Sequence, residues 1–445
     1  MMKHILPFLL LLSVLPAAAQ FRGLPLDDSE TVLAFREHIT FLSSAALEGR
    51  AAGSEGEKEA ADYVSDLLRR YGVEMMSPAD GDLFGVARTP GDTLRSRNVV
   101  GVVQGYDRRL SDRYIVVGAR LDNLGINRLT IDGEPAEQIY YGANGNASGL
   151  AMMLELARIV STNAVLFRRS ILFVGFGASS ETFAGAWYFL NRTFDAGKID
   201  AMINLDMVGA GQDGFCAYTS SNADLNQELA ALSAELLPAV PRIAVAEPYP
   251  SDHRAFYARE IPSVFFSTGP YPEHNTDRDT GGIIDYEGME RELETVYAFT
   301  RRLANTDRPP VFNADKVRRN PVEGREFAYY DCDQPPTFMG FSDPKFFLDR
   351  WVYHYLKYPQ AAVEQGIQGR VIVQFAVNAD GTVSDVEVTR SVHALLDEEA
   401  VRVVSASPKW KAGKVKGRKV KAWISIPVEF RLEKKSKGTS IGIKK

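Results

Sequence analysis

Over roughly the first three hundred residues, short apolar runs alternate with longer amphipathic ones. Asn98 to Val103, Tyr114 to Ala119, Ser170 to Phe176, Met202 to Met207 and Pro262 to Phe266 are short, apolar and rich in β-branched residues, which predicts strands. The intervening segments have helical spacing. Asp28 to Ser43 predicts a first helix. Ser54-Glu55-Gly56-Glu57 predicts a capping box opening a second, with Ala60, Tyr63, Val64, Leu67 and Leu68 on one face. Ser148 to Val160, Asn222 to Leu237 and Tyr286 to Ala304 continue the series, and Trp187 to Leu190 reads as the start of another packed helix. Strands alternating with helices imply an α/β domain, a mixed sheet flanked by helices on both faces.

The pattern then breaks. Asp307 to Pro344 is rich in Pro, Asp and Asn without periodicity and reads as a linker. Beyond it, Val371 to Val377 and Val383 to Val388 alternate as strands around Asn378-Ala379-Asp380-Gly381, a hairpin signal. Leu395 to Val404 predicts a short helix and Val420 to Phe430 a further strand, making a small α+β domain. The expected organisation is a leader at 1–19, the α/β domain at 20–306, a linker at 307–345, the α+β domain at 346–433 and a frayed basic tail at 434–445.

Charge supports two modules. The 445 residues carry a net charge of -6, yet from Phe346 onward 18 Lys/Arg face 10 Asp/Glu, so that part is +8 and the remainder -14. The basic residues lack interleaved aromatics, which argues against nucleic acid as a partner. The start of the chain has a charged beginning, an apolar core from Ile5 to Leu15 and Pro16-Ala17-Ala18-Ala19-Gln20, the pattern of a secretory signal cut after Ala19. That core is short for a membrane span, no Cys follows it, and no later segment is long and apolar enough to cross a bilayer. Export places the chain in an oxidising compartment, where Cys216 and Cys332 are candidates for a disulfide.

In open α/β sheets chemistry gathers at the carboxyl ends of strands. Five such segments are Gly118 to Asp122, Gly142 to Gly149, Gly177 to Glu181, Asn204 to Gly209 and His274 to Thr280. Their order and spacing, with Leu47-Glu48-Gly49-Arg50, Gly53-Ser54-Glu55-Gly56, Ser251-Asp252-His253 and Ile284 to Met289, resemble the zinc exopeptidases of metallopeptidase family 28, the aminopeptidase and glutamate carboxypeptidase type. The resemblance spans roughly Asp28 to Ala304. It implies hydrolysis by two zinc ions, with a neighbouring carboxylate taking the water's proton. The family's pattern implies a His, a bridging Asp, a Glu-Glu pair (general base, then ligand), an Asp and a final His.

Laid on that pattern, the first His is Arg120 and the bridging Asp is Gly145. The Glu-Glu pair is Ser179 and Ser180, the fourth ligand survives as Asp206, and the last His falls on Asn275, with His274 one place early. A serine hydroxyl is a poor zinc ligand and no base at neutral pH, Arg120 is a permanent cation, and Gly145 offers no side chain. The expectation is a non-catalytic domain without a bound cofactor, with zinc only if a metal site survives. Asp122 is expected to be a structural hydrogen bonder, His253 a packed or capping residue and His274 a wall residue. Arg120 is positioned to pair with Asp206 in place of metal charge. Ser179 as a nucleophile lacks an evident base. A relocated metal site built from His274, His253, Asp122 and Asp206 is the route to a zinc aminopeptidase.

Tyr358 to Ala362, Gly366 to Phe375, Asn378 to Val383, Leu395 to Ala400, Trp410 and Ile426 to Phe430 resemble the C-terminal domain of TonB-type proteins, over about Phe346 to Glu433. That resemblance implies a Gram-negative periplasmic location and a module that grips peptides by strand addition. Expected partners are a peptide or cell-envelope protein, with an outer-membrane transporter as the transport-coupling alternative. Lys409 to Lys421 reads as a solvated basic face, with contact to an acidic surface as the sharper alternative.

Overall fold

The computed structural model describes residues 28–76, 81–89, 92–131, 134–220, 222–232, 235, 237–244, 247–312, 326–329, 332–433 and 442–443. The expected signal peptide lies outside them. The first domain is built on one mixed sheet. Its strands are β1 (Glu74–Met75), β2 (Asp82–Thr89), β3 (Asp92–Val103), β4 (Tyr114–Arg120), then β7 (Ser170–Phe176), β8 (Ile199–Leu205), β9 (Cys216–Tyr218), β10 (Arg242–Ala244) and β11 (Ser263–Ser267). The order is β1-β3-β7-β4-β8-β11-β9-β10, with β2 paired to β3. The central strands β7, β4, β8 and β11 run parallel, while β3 and β9 are antiparallel to their neighbours β7 and β11. A separate hairpin, β5 (Gly125–Ile131) and β6 (Glu134–Tyr140), stands apart from this sheet.

Alternation along the central strands sends side chains into two cores. Ile115, Val117, Ile171 and Phe173 face one layer. It is covered by α1 (Glu30–Leu42), α2 (Glu55–Arg70), α3 (Ser148–Thr162) and, further along the chain, the closing helix Tyr286–Asn305. Val116, Leu172, Val174 and Phe176 face the other, under α4 (Ala184–Tyr188) and the helix His253–Ala258. Residues of a strand buried on both faces must be apolar throughout, which is why these runs are continuous rather than alternating in polarity. The helices begin where capping groups satisfy free amides: Ser29 accepts from Val32, Ser54 from Glu57 and Asp285 from Gly288.

Several boundaries differ from the sequence reading. β8 starts at Ile199 and ends at Leu205, before Asp206. The helix expected over 222–237 is α5 (Ala223–Leu232). Ser54 caps α2, but the capping box is not closed: the Glu57 carboxylate reaches back to the Gly53 amide instead, 2.7 Å away. Cys216 and Cys332 are both buried thiols in separate apolar clusters, so the disulfide does not form.

The second domain has a four-stranded sheet in the order β12-β17-β13-β14, formed by β12 (Glu326–Ala328), β13 (Gly369–Val377), β14 (Val383–Arg390) and β17 (Lys421–Phe430). Between β14 and β17 lie a small antiparallel pair, β15 (Lys414–Val415) with β16 (Arg418–Lys419), and the helix Ala394–Ser405. Val371, Val373, Phe375, Ile424, Ile426 and Val428 pack with Leu396, Ala400 and Val403 of that helix. The segment read as linker contributes β12, which pairs parallel with β17, and Phe338, which joins the core. Of the segment read as a frayed tail, Gly442–Ile443 pairs antiparallel with Leu432–Glu433, and the rest lies outside the described residues.

Candidate functional site

Strand β4 delivers Arg120 and then Asp122 to the carboxyl edge of the sheet. Asp122 is fully buried and accepts the Ser179 amide (2.7 Å) on one oxygen and the Ser180 amide (2.9 Å) on the other. Glu57, from α2, accepts the preceding amide of Ala178 at 2.9 Å and the Ser96 hydroxyl at 2.8 Å. Three successive N–H groups after β7 therefore end on two buried carboxylates. The turn is tight enough that a Cβ on Gly177 would sit 2.2 Å from the Arg97 carbonyl, and Ala178 takes φ +48. Burial, with the Asp122 charge nearby, pushes Glu57 up to about 7, and burial likewise raises Asp122.

The Ser179 hydroxyl lies 2.8 and 2.9 Å from the two oxygens of Asp252. Ser179 thus has a carboxyl partner that the sequence did not reveal. Burial pushes Asp252 well above the ordinary carboxylate range, and the Asp122 and Asp206 charges add to it. Ser180 is exposed, and its side chain also bonds Asp122.

Arg120 Nε lies 3.3 Å from Asp206 Oδ1, and Asp206 Oδ2 accepts the Ser251 hydroxyl at 2.7 Å. Burial works against the Arg120 cation, but Asp206 and Asp122 outweigh it and keep it charged. The loop before α3 closes over this pair. Asp279 takes the Asn144 and Gly145 amides at 2.7 and 3.0 Å and the Tyr271 hydroxyl at 2.8 Å. A Cβ on Gly145 would meet the Tyr271 hydroxyl at 3.1 Å, Arg120 Nη2 at 3.2 Å and Asp279 Oδ2 at 3.3 Å. Arg120 therefore reaches to where a side chain at position 145 would begin. Asn144 Oδ1 accepts the Gly209 amide and Asn146 Oδ1 the Met207 amide, fastening this loop to the segment after β8.

The two histidines serve as packing groups. His274 lies between Tyr271 and Tyr249, with ring centroids 5.3 and 6.0 Å away, and burial, reinforced by Arg120, lowers it to about 3. His253 stacks on Phe265 at 4.9 Å, with Nε2 3.2 Å from Glu247 Oε2. Asn275 takes φ +59 at a half-buried position. Among the described residues no three of His, Cys, Asp and Glu are grouped to hold a metal ion, so His274, His253, Asp122 and Asp206 do not assemble the relocated site. The residues at the family's zinc positions do not fit zinc: a guanidinium, a glycine, two hydroxyls and an amide replace its donors. The surviving carboxylate is engaged by Arg120 and Ser251.

Sequence reasoning missed Asp252, Glu57, Asp279 and Arg50. Arg50 is buried and donates to the carbonyls of Leu121 (3.2 Å), Tyr141 (3.0 Å) and Gly142 (3.0 Å), tying the end of β4 to the start of the 143–147 loop. Its place inside Leu-Glu-Gly-Arg was a usable signal, because an Arg in an apolar surround must find carbonyl or carboxylate partners.

Residues 98–300 match Peptidase family M28, and residues 354–432 match the Gram-negative bacterial TonB protein C-terminal family. A probable zinc metalloprotease of Pyrenophora tritici-repentis is 35% identical over 191 residues, 41% of this chain and 41% of its own. Protein TonB of Xanthomonas campestris pv. campestris is 40% identical over 79 residues, 17% of this chain and 34% of its own. The chain thus spans well under half the length of these curated relatives. Among solved structures, an aminopeptidase from Aneurinibacillus sp. strain AM-1 is similar with a TM-score of 0.49 and 18% identity, covering 63% of this chain and 96% of that one. The chain joins a domain of peptidase family M28 to a C-terminal domain of the Gram-negative TonB type.

Proposed function

We propose that the M28 domain is a non-catalytic binding domain of the Gram-negative cell envelope, exported to the periplasm and working with its TonB-type module on a peptide or envelope-protein partner. The observation that carries this reading is the place of Arg120, paired to Asp206 and reaching to the position 145 backbone. A fixed guanidinium there supplies positive charge to the buried acids and repels a metal cation. The general-base position holds Ser179, whose hydroxyl is taken up by Asp252. Hydrolysis by this family's chemistry needs both metal and base, and neither set of donors is in place. What remains at these strand ends is the Arg120 cation beside an aromatic group of Tyr249, Tyr271 and His274, a surface that would favour an anionic or polar ligand group over a metal cation.

The test is zinc content of the mature protein after loading and exhaustive dialysis, with hydrolysis of aminoacyl nitroanilides measured alongside. The expected result is less than about one zinc per ten chains and no zinc-stimulated turnover. One or two zinc per chain, lost in Asp206→Ala, would sink the proposal and restore the peptidase reading.

A further inference from the structure

The hairpin β5–β6 belongs to the first domain by sequence, yet its outer side is covered by the second. Arg390, the last residue of β14, donates through Nη2 to the carbonyls of Ile126 (3.0 Å) and Leu124. Its guanidinium lies 5.6 Å from the centre of the Tyr140 ring. The Tyr140 hydroxyl in turn donates to the carbonyl of Ser391. β13 packs alongside β5, and Ala136 of β6 rests on the core of the second domain. Tyr140 is only 1% exposed. A guanidinium loses hydration on burial, and here two carbonyls and an aromatic face replace water.

The other end of the hairpin leads directly into the 143–147 loop of the candidate site. β6 ends at Tyr140, and Tyr141 and Gly142 connect it to the 143–147 loop. The Tyr140 carbonyl accepts from Asn123 at 2.8 Å, and Arg50 holds the next two carbonyls. One residue, Tyr140, therefore touches the second domain through its ring and hydroxyl, is held at its carbonyl by Asn123, and is separated by two residues of chain from the 143–147 loop.

We propose that the TonB-type domain is docked on the M28 domain through this hairpin, and that docking and the order of the 142–147 pocket loop are energetically coupled through Tyr140. The two-state element is the hairpin, clamped or released by Arg390, and coupling through it is reciprocal. A partner that pulls on or reshapes the end of β14 then alters the pocket, and a pocket ligand alters the hold on β14. This inference does not depend on whether the pocket is catalytic.

The test is hydrogen exchange, read by mass spectrometry on the full mature chain, comparing wild type with Arg390→Ala and Tyr140→Phe. Lys345→Ala serves as control, because Lys345 is an exposed residue of the second domain whose ammonium pairs with Asp349. Losing charged hydrogen bonds at the clamp is expected to speed exchange of amides 140–147 about tenfold in Arg390→Ala, with a smaller rise in Tyr140→Phe. The Tyr140→Phe variant keeps the ring, so its fold is preserved. If Arg390→Ala does not fold, Arg390→Lys, which keeps the charge but not the fork, decides in the same way. Unchanged exchange at 140–147 in folded variants overturns the proposal, and so does an equal rise in the control.

Discussion

The ion pair of Arg120 with Asp206 is the feature on which the functional reading turns, and a double-mutant cycle tests it. Arg120→Met keeps the apolar stem and removes the cation, and Asp206→Asn keeps the shape and removes the anion. At 3.3 Å and an effective dielectric near 20, the gross attraction is about 5 kcal/mol. The Arg120 side chain is 15% exposed and that of Asp206 5%, so screening is limited, but desolvation takes back part of the gain. Each single change leaves a buried, uncompensated charge and is expected to cost about 3 to 5 kcal/mol. The double variant removes both charges and is expected to recover about 2 to 3 kcal/mol of the summed cost. The assay is urea unfolding of the three variants and wild type at neutral pH, accepted only if the slope is constant across them. Additivity within about 0.5 kcal/mol would falsify the claim that Arg120 compensates Asp206. The charge replacing the metals would then have to come from elsewhere.

Three further outcomes follow from the same structure. Glu57 is raised from 4.5 to about 7, so the folded state holds its proton more tightly than the unfolded state; its contribution is full below about pH 4.5 and is lost as pH rises through about 7. Up to roughly 3 kcal/mol of slope is expected in wild-type urea midpoints over that window and absent in Glu57→Gln; parallel slopes refute it. Glu247 runs oppositely: burial raises it, but His253 and Arg254 outweigh burial and bring it to about 2, so its contribution holds above pH 4.5 and is lost as pH falls toward 2. Glu247→Gln should therefore show a shallower acid limb in thermal melts. The two buried thiols are expected to resist a thiol reagent in the native protein and to titrate fully after guanidinium unfolding, whereas titration of only unfolded, reduced samples would mean a disulfide.

What the sequence disclosed follows the range of the forces involved. The central strands and the main helices were legible because each buries a face whose period is written locally, as in Ile171 to Phe176. The β5–β6 hairpin was overlooked because its strands are polar on one side and stand off the main sheet. Even so, Ile131 pairs with Glu134 across Asp132-Gly133, a two-residue turn signal present in the chain. β12 was hidden for a different reason: three residues inside a polar stretch become a strand only because β17 offers them an edge. At the site, the residue types at the positions that the resemblance assigns to zinc were readable one by one: a guanidinium, a glycine and hydroxyls. The long-range contacts around them were not. Asp252 reaches Ser179 across 73 residues, Asp279 reaches Gly145 across 134, and Glu57 reaches Ala178 across 121, and no local pattern encodes such pairings. These contacts hold the loops at the strand ends in shape. The loops after β7 and before α3 are held by buried carboxylates receiving their amides, and of these Asp122 lies near both Arg120 and Arg50 and Asp279 near Arg50. The amides bind the acids, the arginines offset their charge, and the pocket is thereby organised by the chain's own groups.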